Sequence, residues 1–98
     1  MINTSYEDFS DTVLFDVMVE THTRLGAELL YLCNQAKARS DEAALINYEN
    51  DFKNLDLELK TVDPDNRAQQ IEKIKKWHGE LLKLRASNNC FSLLLRHL

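Results

Sequence analysis

The chain has 98 residues, of which two are Gly and one is Pro; so little turn-forming material excludes the many tight connections of an all-β fold. Its net charge of −4 opposes any general attraction to nucleic acid or to an anionic membrane surface. Two cysteines, Cys33 and Cys90, lie far apart and outside any C-x-x-C spacing, which argues against a disulfide framework or a zinc knuckle and fits a reducing cytoplasm.

The length suits one core, so residues 1–98 are expected to form a single helical-bundle domain. Leu, Ala, Glu, Lys and Gln, all good helix formers, dominate much of the chain. The first start signal is Thr4-Ser5-Tyr6-Glu7, a capping box in which the Thr4 hydroxyl accepts a backbone N–H and Glu7 reaches back. With no breaker before Arg39-Ser40, the pattern predicts a first helix from about Ser5 to Ala38. Gly26, beside Ala27, marks a place where a neighbouring helix approaches closely. The apolar stretch Val13 to Val19 is interrupted by Asp16 and is far too short to cross a bilayer. No basic leader precedes it, so membrane insertion is not expected and a cytoplasmic location is.

Ser40-Asp41-Glu42 reads as a second start, a capping hydroxyl followed by two acids at the positive end of the helix dipole. Apolar residues then recur at Leu45, Tyr48, Phe52, Leu55, Leu59 and Val62, in steps of three and four that share one helical face. Glu49 with Lys53, and Asp56 with Lys60, are i,i+4 pairs for the wet side, and the helix is expected to end near Lys60 or Thr61. Asp63-Pro64-Asp65 is the clearest punctuation, Asp capping and Pro occupying the first turn, so a third helix is predicted from Pro64. Its inward stripe is Ile71, Ile74, Trp77, Leu81 and Leu84, with Glu72 and Lys76 paired outside. Ser87-Asn88-Asn89 weakens this helix, and the apolar tail from Cys90 to Leu95 either continues it or folds back as a fourth. Short connections make consecutive helices antiparallel, so the fold class is all-α: an antiparallel three-helix hairpin bundle with a short apolar C-terminal helix or tail. Leu29, Leu32, Tyr48, Phe52, Leu55, Leu59, Ile74, Trp77 and Leu81 are its expected core.

Residues 1–63 carry a balance of −8 and residues 64–98 one of +4. An acidic helix packed beside a basic one accounts for this, and a basic surface reserved for an acidic partner is the alternative. Lys73, Lys75, Lys76, Lys83 and Arg85 are interrupted by Glu72 and Glu80, with no interleaved aromatic series, which opposes a nucleic-acid interface. Among His22, His78, His97, Cys33 and Cys90, no two stand at i,i+3 or i,i+4, so no metal site is expected. His78 falls in the apolar arc of helix 3 and is expected at the core or its boundary. The chain has no glycine-rich phosphate loop, no G-x-S-x-G and no Cys/His pattern, so neither a cofactor nor an enzymatic activity is expected.

The informative surplus is apolar. In helix 1, Phe9, Val13, Val17 and Tyr31 form one line, Leu14, Met18, Leu25, Leu29, Leu32 and Ala36 a second, and Phe15, Val19 and Leu30 fall outside both. Helix 2 has Ile46 and Leu57 off its main stripe. A helix 2 of this length reaches back beside helix 1 only to about residue 17 at roughly 1.5 Å per residue. Phe9, Val13, Leu14 and Phe15 are therefore expected to be uncovered and to meet a protein partner or the mate of a homodimer. Ile46, Leu57, Phe91 and Leu94 complete the candidate partner-binding set.

The run from Ala36 through Arg39-Ser40-Asp41-Glu42 to Leu45, Tyr48, Phe52, Leu55 and Leu59 resembles the small bacterial flagellar export chaperones of the FliT-like type. Gln70-Ile71-Glu72-Lys73-Ile74, followed by Leu81, Leu82 and Leu84, is similar to their third helix. The resemblance implies an all-α chaperone that shields an export substrate, such as a filament-cap protein, and also binds a transcriptional regulator or an export-ATPase component. A small regulatory inhibitor, antitoxin-like, anti-activator or phage-encoded, would use the same surplus surface.

Overall fold

The computed structural model describes residues 6–96, with side chains through Ser87. Thr4, and with it the expected capping box, lies outside them. A single 3-10 turn, Tyr6–Asp8, precedes helix α1, Asp11–Ala38. The long helix begins later than Ser5 because Ser10 is its cap: its backbone is extended and its hydroxyl accepts from the Val13 N–H at 3.2 Å. Asp11 then places a carboxylate at the positive end of the helix dipole. The preceding turn folds back as Tyr6 meets Phe9 edge to face, ring centres 5.9 Å apart.

At the other end of α1 the chain reverses through paired hydrogen bonds, Ser40 N–H to the Lys37 carbonyl (3.1 Å) and Asp41 N–H to the Ala36 carbonyl (2.9 Å). This closure places Ser40 in the left-handed region, φ 57°. Ser40 is thus the residue that terminates α1, and the cap of α2 (Glu42–Lys60) is Asp41, whose Oδ1 accepts from the Ala44 N–H at 3.1 Å. A carboxylate so placed caps and opposes the dipole together, which a serine cannot do.

Helix α3, Arg67–Arg96, starts three residues after Pro64. Asp63 and Pro64 belong to a turn in which the Asp65 N–H donates to Asp63 Oδ1 (2.9 Å) and the Asn66 N–H to the Asp63 carbonyl (3.0 Å). Asn66 Oδ1 then accepts from the Gln69 N–H at 3.0 Å, opening the helix. Gln70, buried, fastens the turn by donating to the carbonyls of Asp63 (3.2 Å) and Pro64 (2.9 Å). The backbone stays helical through Ser87-Asn88-Asn89 to Arg96, so the tail extends α3 and does not fold back. No strand is present among the described residues.

The arrangement is an all-α three-helix bundle in which α1 is central, with α2 and α3 each packed along it. Arg67 meets Asp11, Trp77 meets His22 and Arg85 meets Glu28, so α3 advances in parallel with α1 and covers its N-terminal half. That corrects the expectation for Leu14: α3 begins level with Asp11, and Leu14 is fully buried in the chain's own core. Phe9 is half-buried against the same core. Arg67 holds this end closed by donating to the Asp11 carboxylate and to the carbonyls of Glu7 (3.2 Å) and Phe9 (2.7 Å).

The line Leu14, Met18, Leu25, Leu29, Leu32, Ala36 is buried throughout. From α2 only Leu55 is fully buried, joined by Ile74, Trp77 and Leu81 of α3. Tyr48 and Leu59 are half-buried. Phe52 is 40% exposed, against expectation, because α2 has a packed neighbour on one flank only. Its ring lies over buried Gly26, where an added Cβ would stand 3.5 Å from Phe52 Cε2; the close approach expected at that glycine is therefore between α1 and α2. His78, expected at the core boundary, faces outward on α3 and is exposed.

A left-handed residue with a Cβ costs roughly 1 to 2 kcal/mol, and glycine relieves this while gaining freedom in the unfolded chain. Ser40→Gly is therefore expected to raise stability by about 0.5 to 1 kcal/mol in urea denaturation; a loss would contradict the left-handed closure.

Candidate functional site

The site is set by how α2 and α3 meet over α1. Lys73 and Lys76, three residues apart, and Trp77 lie on the arc of α3 that faces α2, and all three converge on one atom. Glu58 Oε2 accepts from Lys73 Nζ (2.8 Å), Lys76 Nζ (2.8 Å) and the indole N–H of Trp77 (3.2 Å). Trp77 has no exposed surface and meets His22 of α1 edge to face, ring centres 5.4 Å apart. The cluster therefore joins all three helices at one level.

Burial alone would raise the Glu58 carboxyl, but hydrogen bonds from Lys73 and Lys76, with their charges, outweigh it and hold it below the ordinary value. Lys76 is raised, first by its hydrogen bond to Glu58, against the opposing effect of burial, and further by the charges of Glu58, Glu80 and Glu72. Lys76 is thus engaged between helices, not with Glu72 along α3. Of the two pairs expected on α2, Asp56 with Lys60 forms at 3.4 Å, whereas Glu49 and Lys53 make no ion pair among the described residues. The charge asymmetry of the sequence is expressed in cross-helix pairs, Glu58 with Lys73 and Lys76, and Asp11 with Arg67.

Beyond this junction toward the α1–α2 turn, α2 and α3 stand apart. The space between them is a cleft of about 420 Å³ with Leu25 and Leu29 of α1 as its floor. Asp51, Asn54, Leu55 and Glu58 form one wall, and Lys76, Glu80, Lys83 and Leu84 the other. A second hollow of about 400 Å³ continues it past Leu84, lined by Leu32, Gln35, Arg39, Asp41, Tyr48 and Ser87. The leucines at the bottom are buried, Leu84 at the edge is half-buried, and charged side chains line the lips.

Of the expected partner-binding residues whose side chains are described, none lines this cleft. Val13 and Phe15 are exposed on α1, and Ile46 and Leu57 are exposed on α2, eleven residues apart on its outer face. Phe9 and Leu14 are held by the chain itself. The side chains of Phe91 and Leu94 lie outside the described residues. Sequence reasoning missed Asp51, Asn54, Glu58, Glu80 and Lys83. One signal was available: Glu58 has Asn54 and Val62 at i−4 and i+4, so it is an acid on α2 without a helical cation of its own.

No group of three metal-ligating side chains assembles among the described residues, and no helix there is long and apolar enough to cross a membrane. Cys33 is buried, and its thiol is pushed up by burial and then by Glu49, against the lowering effect of Lys37, the opposite of what a nucleophile needs. Compared with known proteins, the chain matches no family model, no curated sequence and no solved structure.

Glu58→Ala is expected to cost about 1 to 3 kcal/mol at neutral pH, because it leaves the buried indole N–H and Lys73 without their acceptor. Glu58 is lowered in the folded state, so its contribution is present above the carboxyl's unfolded value and lost as pH falls through the folded one. Lys76 is raised, so its share is present below the ordinary lysine value and lost as pH rises through the folded one. Urea melts of wild type and variant should therefore converge at strongly acid pH; a pH-independent gap would show that the carboxylate charge is not what stabilises the junction.

Proposed function

We propose that this chain is a protein-binding chaperone whose α2–α3 cleft receives an amphipathic helix of its client, in the helix-in-groove manner. The cleft between α2 and α3 carries the reading: Leu84 is half-buried at its edge, and the buried Leu25 and Leu29 close its floor. The client class rests on the resemblance of the Ala36–Phe52 run and of the third helix to FliT-like chaperones, which makes the client a flagellar export substrate held in the cytoplasm before secretion. Val13 and Phe15, exposed on α1, support self-association as a homodimer away from the cleft, which sedimentation equilibrium measures directly. A regulatory inhibitor would use the same cleft on a different partner.

Asn54 is exposed and lines the cleft, so Asn54→Trp should fill it without disturbing the core. In pull-downs from the native host, wild type should retain a secreted flagellar protein and Asn54→Trp should lose most of it. Retention of a transcription factor or nuclease, equally lost on Asn54→Trp, would replace the chaperone by the inhibitor. A client bound equally by both proteins would remove the cleft as its site.

A further inference from the structure

One flank of α1 carries a row of apolar positions that the chain does not cover. Phe15, Val19, Gly26 and Leu30 fall within about 60° of one another at 3.6 residues per turn. Phe15 is 38%, Val19 36% and Leu30 54% exposed, and at Gly26 the row is completed by the Phe52 ring of α2, 40% exposed. Thr23, beside the row, donates its hydroxyl to the Val19 carbonyl (2.9 Å) and so brings no unpaired donor to it. Resting on the self-association proposed above, we propose that this row is its contact face. The occupant is a second copy of the chain, laid antiparallel about a two-fold axis level with His22 and Thr23.

The spacing is self-complementary. A two-fold axis brings residue i to residue j and j to i. About that axis Phe15 stands opposite Leu30 of the second copy, and Val19 stands opposite Gly26 with the Phe52 ring that covers it. Each large side chain of the row thus meets an apolar one, twice over. Val13 lies about 160° round the helix from Phe15 and takes no part.

Charge sets the direction. Residues 6–22 carry Glu7, Asp8, Asp11, Asp16 and Glu20 with no lysine or arginine, whereas residues 23–40 carry Arg24, Lys37 and Arg39 against Glu28 alone. A parallel copy would set acid beside acid, and the antiparallel copy sets each acidic end beside a basic one. Lys37, exposed, continues the row past Leu30 and comes level with the exposed Asp8 of the second copy. Neither forms an ion pair within its own chain among the described residues. A partner of one charge sign would match one end of the row and oppose the other.

The size agrees with a weak dimer. The row is about 22 Å long and two helices, about 20 Å, wide, so two copies bury on the order of 1,000 Å², the low end of specific interfaces.

The test is sedimentation equilibrium of the full chain from about 10 μM to 1 mM, the range of a weak dimer, with circular dichroism confirming that each surface variant keeps its helices. Wild type should dimerise, Leu30→Glu should weaken the dimer about tenfold or more, and Val13→Glu should leave it unchanged. Lys37→Glu should weaken it about three- to tenfold, and Asp8→Lys added to Lys37→Glu should restore it, as two symmetric exposed ion pairs require. A spin label at exposed Asn34, with Cys33 and Cys90 replaced by serine, should give one intermolecular distance of about 35 Å, since about 23 residues of antiparallel helix separate the two labels along the axis. A dimer unchanged by Leu30→Glu, or Asn34 labels held close together, overturns this face while self-association stands. A chain that stays monomeric throughout overturns both. A host client lost on Leu30→Glu, with the chain monomeric, gives the face to that client and also overturns the proposal.

Discussion

Glu58 places one carboxylate oxygen under three donors at once, two ammonium groups and the indole N–H of a tryptophan with no exposed surface. A carboxylate withdrawn from water is costly unless it is paired and hydrogen-bonded, and an indole N–H in a core needs an acceptor. Neither α2 nor α3 can meet both needs alone. Glu58 has no cation at i±4 on its own helix, and Trp77 lies where α3 turns toward α1 and α2. The junction therefore fixes the register of α2 against α3, while the leucine line of α1 gives both helices a common surface.

The cleft is a consequence of that single tie. α1 has 28 residues and α2 has 19, and α3 runs parallel to α1 from Asp11 onward. At the Asp11 end, Arg67 and the glutamine-fastened turn close the bundle. At the opposite end, α1 and α2 are joined by their tight reversal at Ser40, but α3 has no such connection to either. Among the described residues no ion pair of the Glu58 kind joins α2 and α3 past Leu84, and the two outer helices leave a gap above the buried leucines of α1. A central helix flanked by two helices that are tied together at one level thus leaves a cleft as a by-product of its own packing.

Most of the fold was legible because its determinants are local. The inward line of α1 from Leu14 to Ala36 is a three-four pattern that needs no knowledge of neighbours, and it is buried as read. The boundaries moved where two residues competed for one role. Ser40 and Asp41 are both capping types, but only the hydrogen bonds of the α1 terminus assign the left-handed position to Ser40 and leave the cap to Asp41. Pro64 suits a first helical turn, yet the Asp63 side chain and the Gln70 amide hold it in the turn before α3. Phe52 follows the stripe of α2 and its ring covers Gly26, yet it stays 40% exposed because α2 is packed on one flank only, which periodicity cannot detect. The candidate site was the least legible part. Leu14 was assigned to a partner because the start of α3 was placed without its level along α1, and the cleft depends on helix divergence, which no residue pattern encodes.

The central claim is that the Glu58 junction holds α2 and α3 at a defined separation over the cleft. Spin labels at Asn50 of α2 and Ala86 of α3, both exposed, with Cys33 and Cys90 replaced by serine, would report that separation by pulsed dipolar spectroscopy. Wild-type contacts predict one narrow distance distribution at neutral pH that broadens toward longer distances in Glu58→Gln. An identical narrow distribution in both proteins would contradict the account, since the outer helices would then be held apart by something other than this carboxylate.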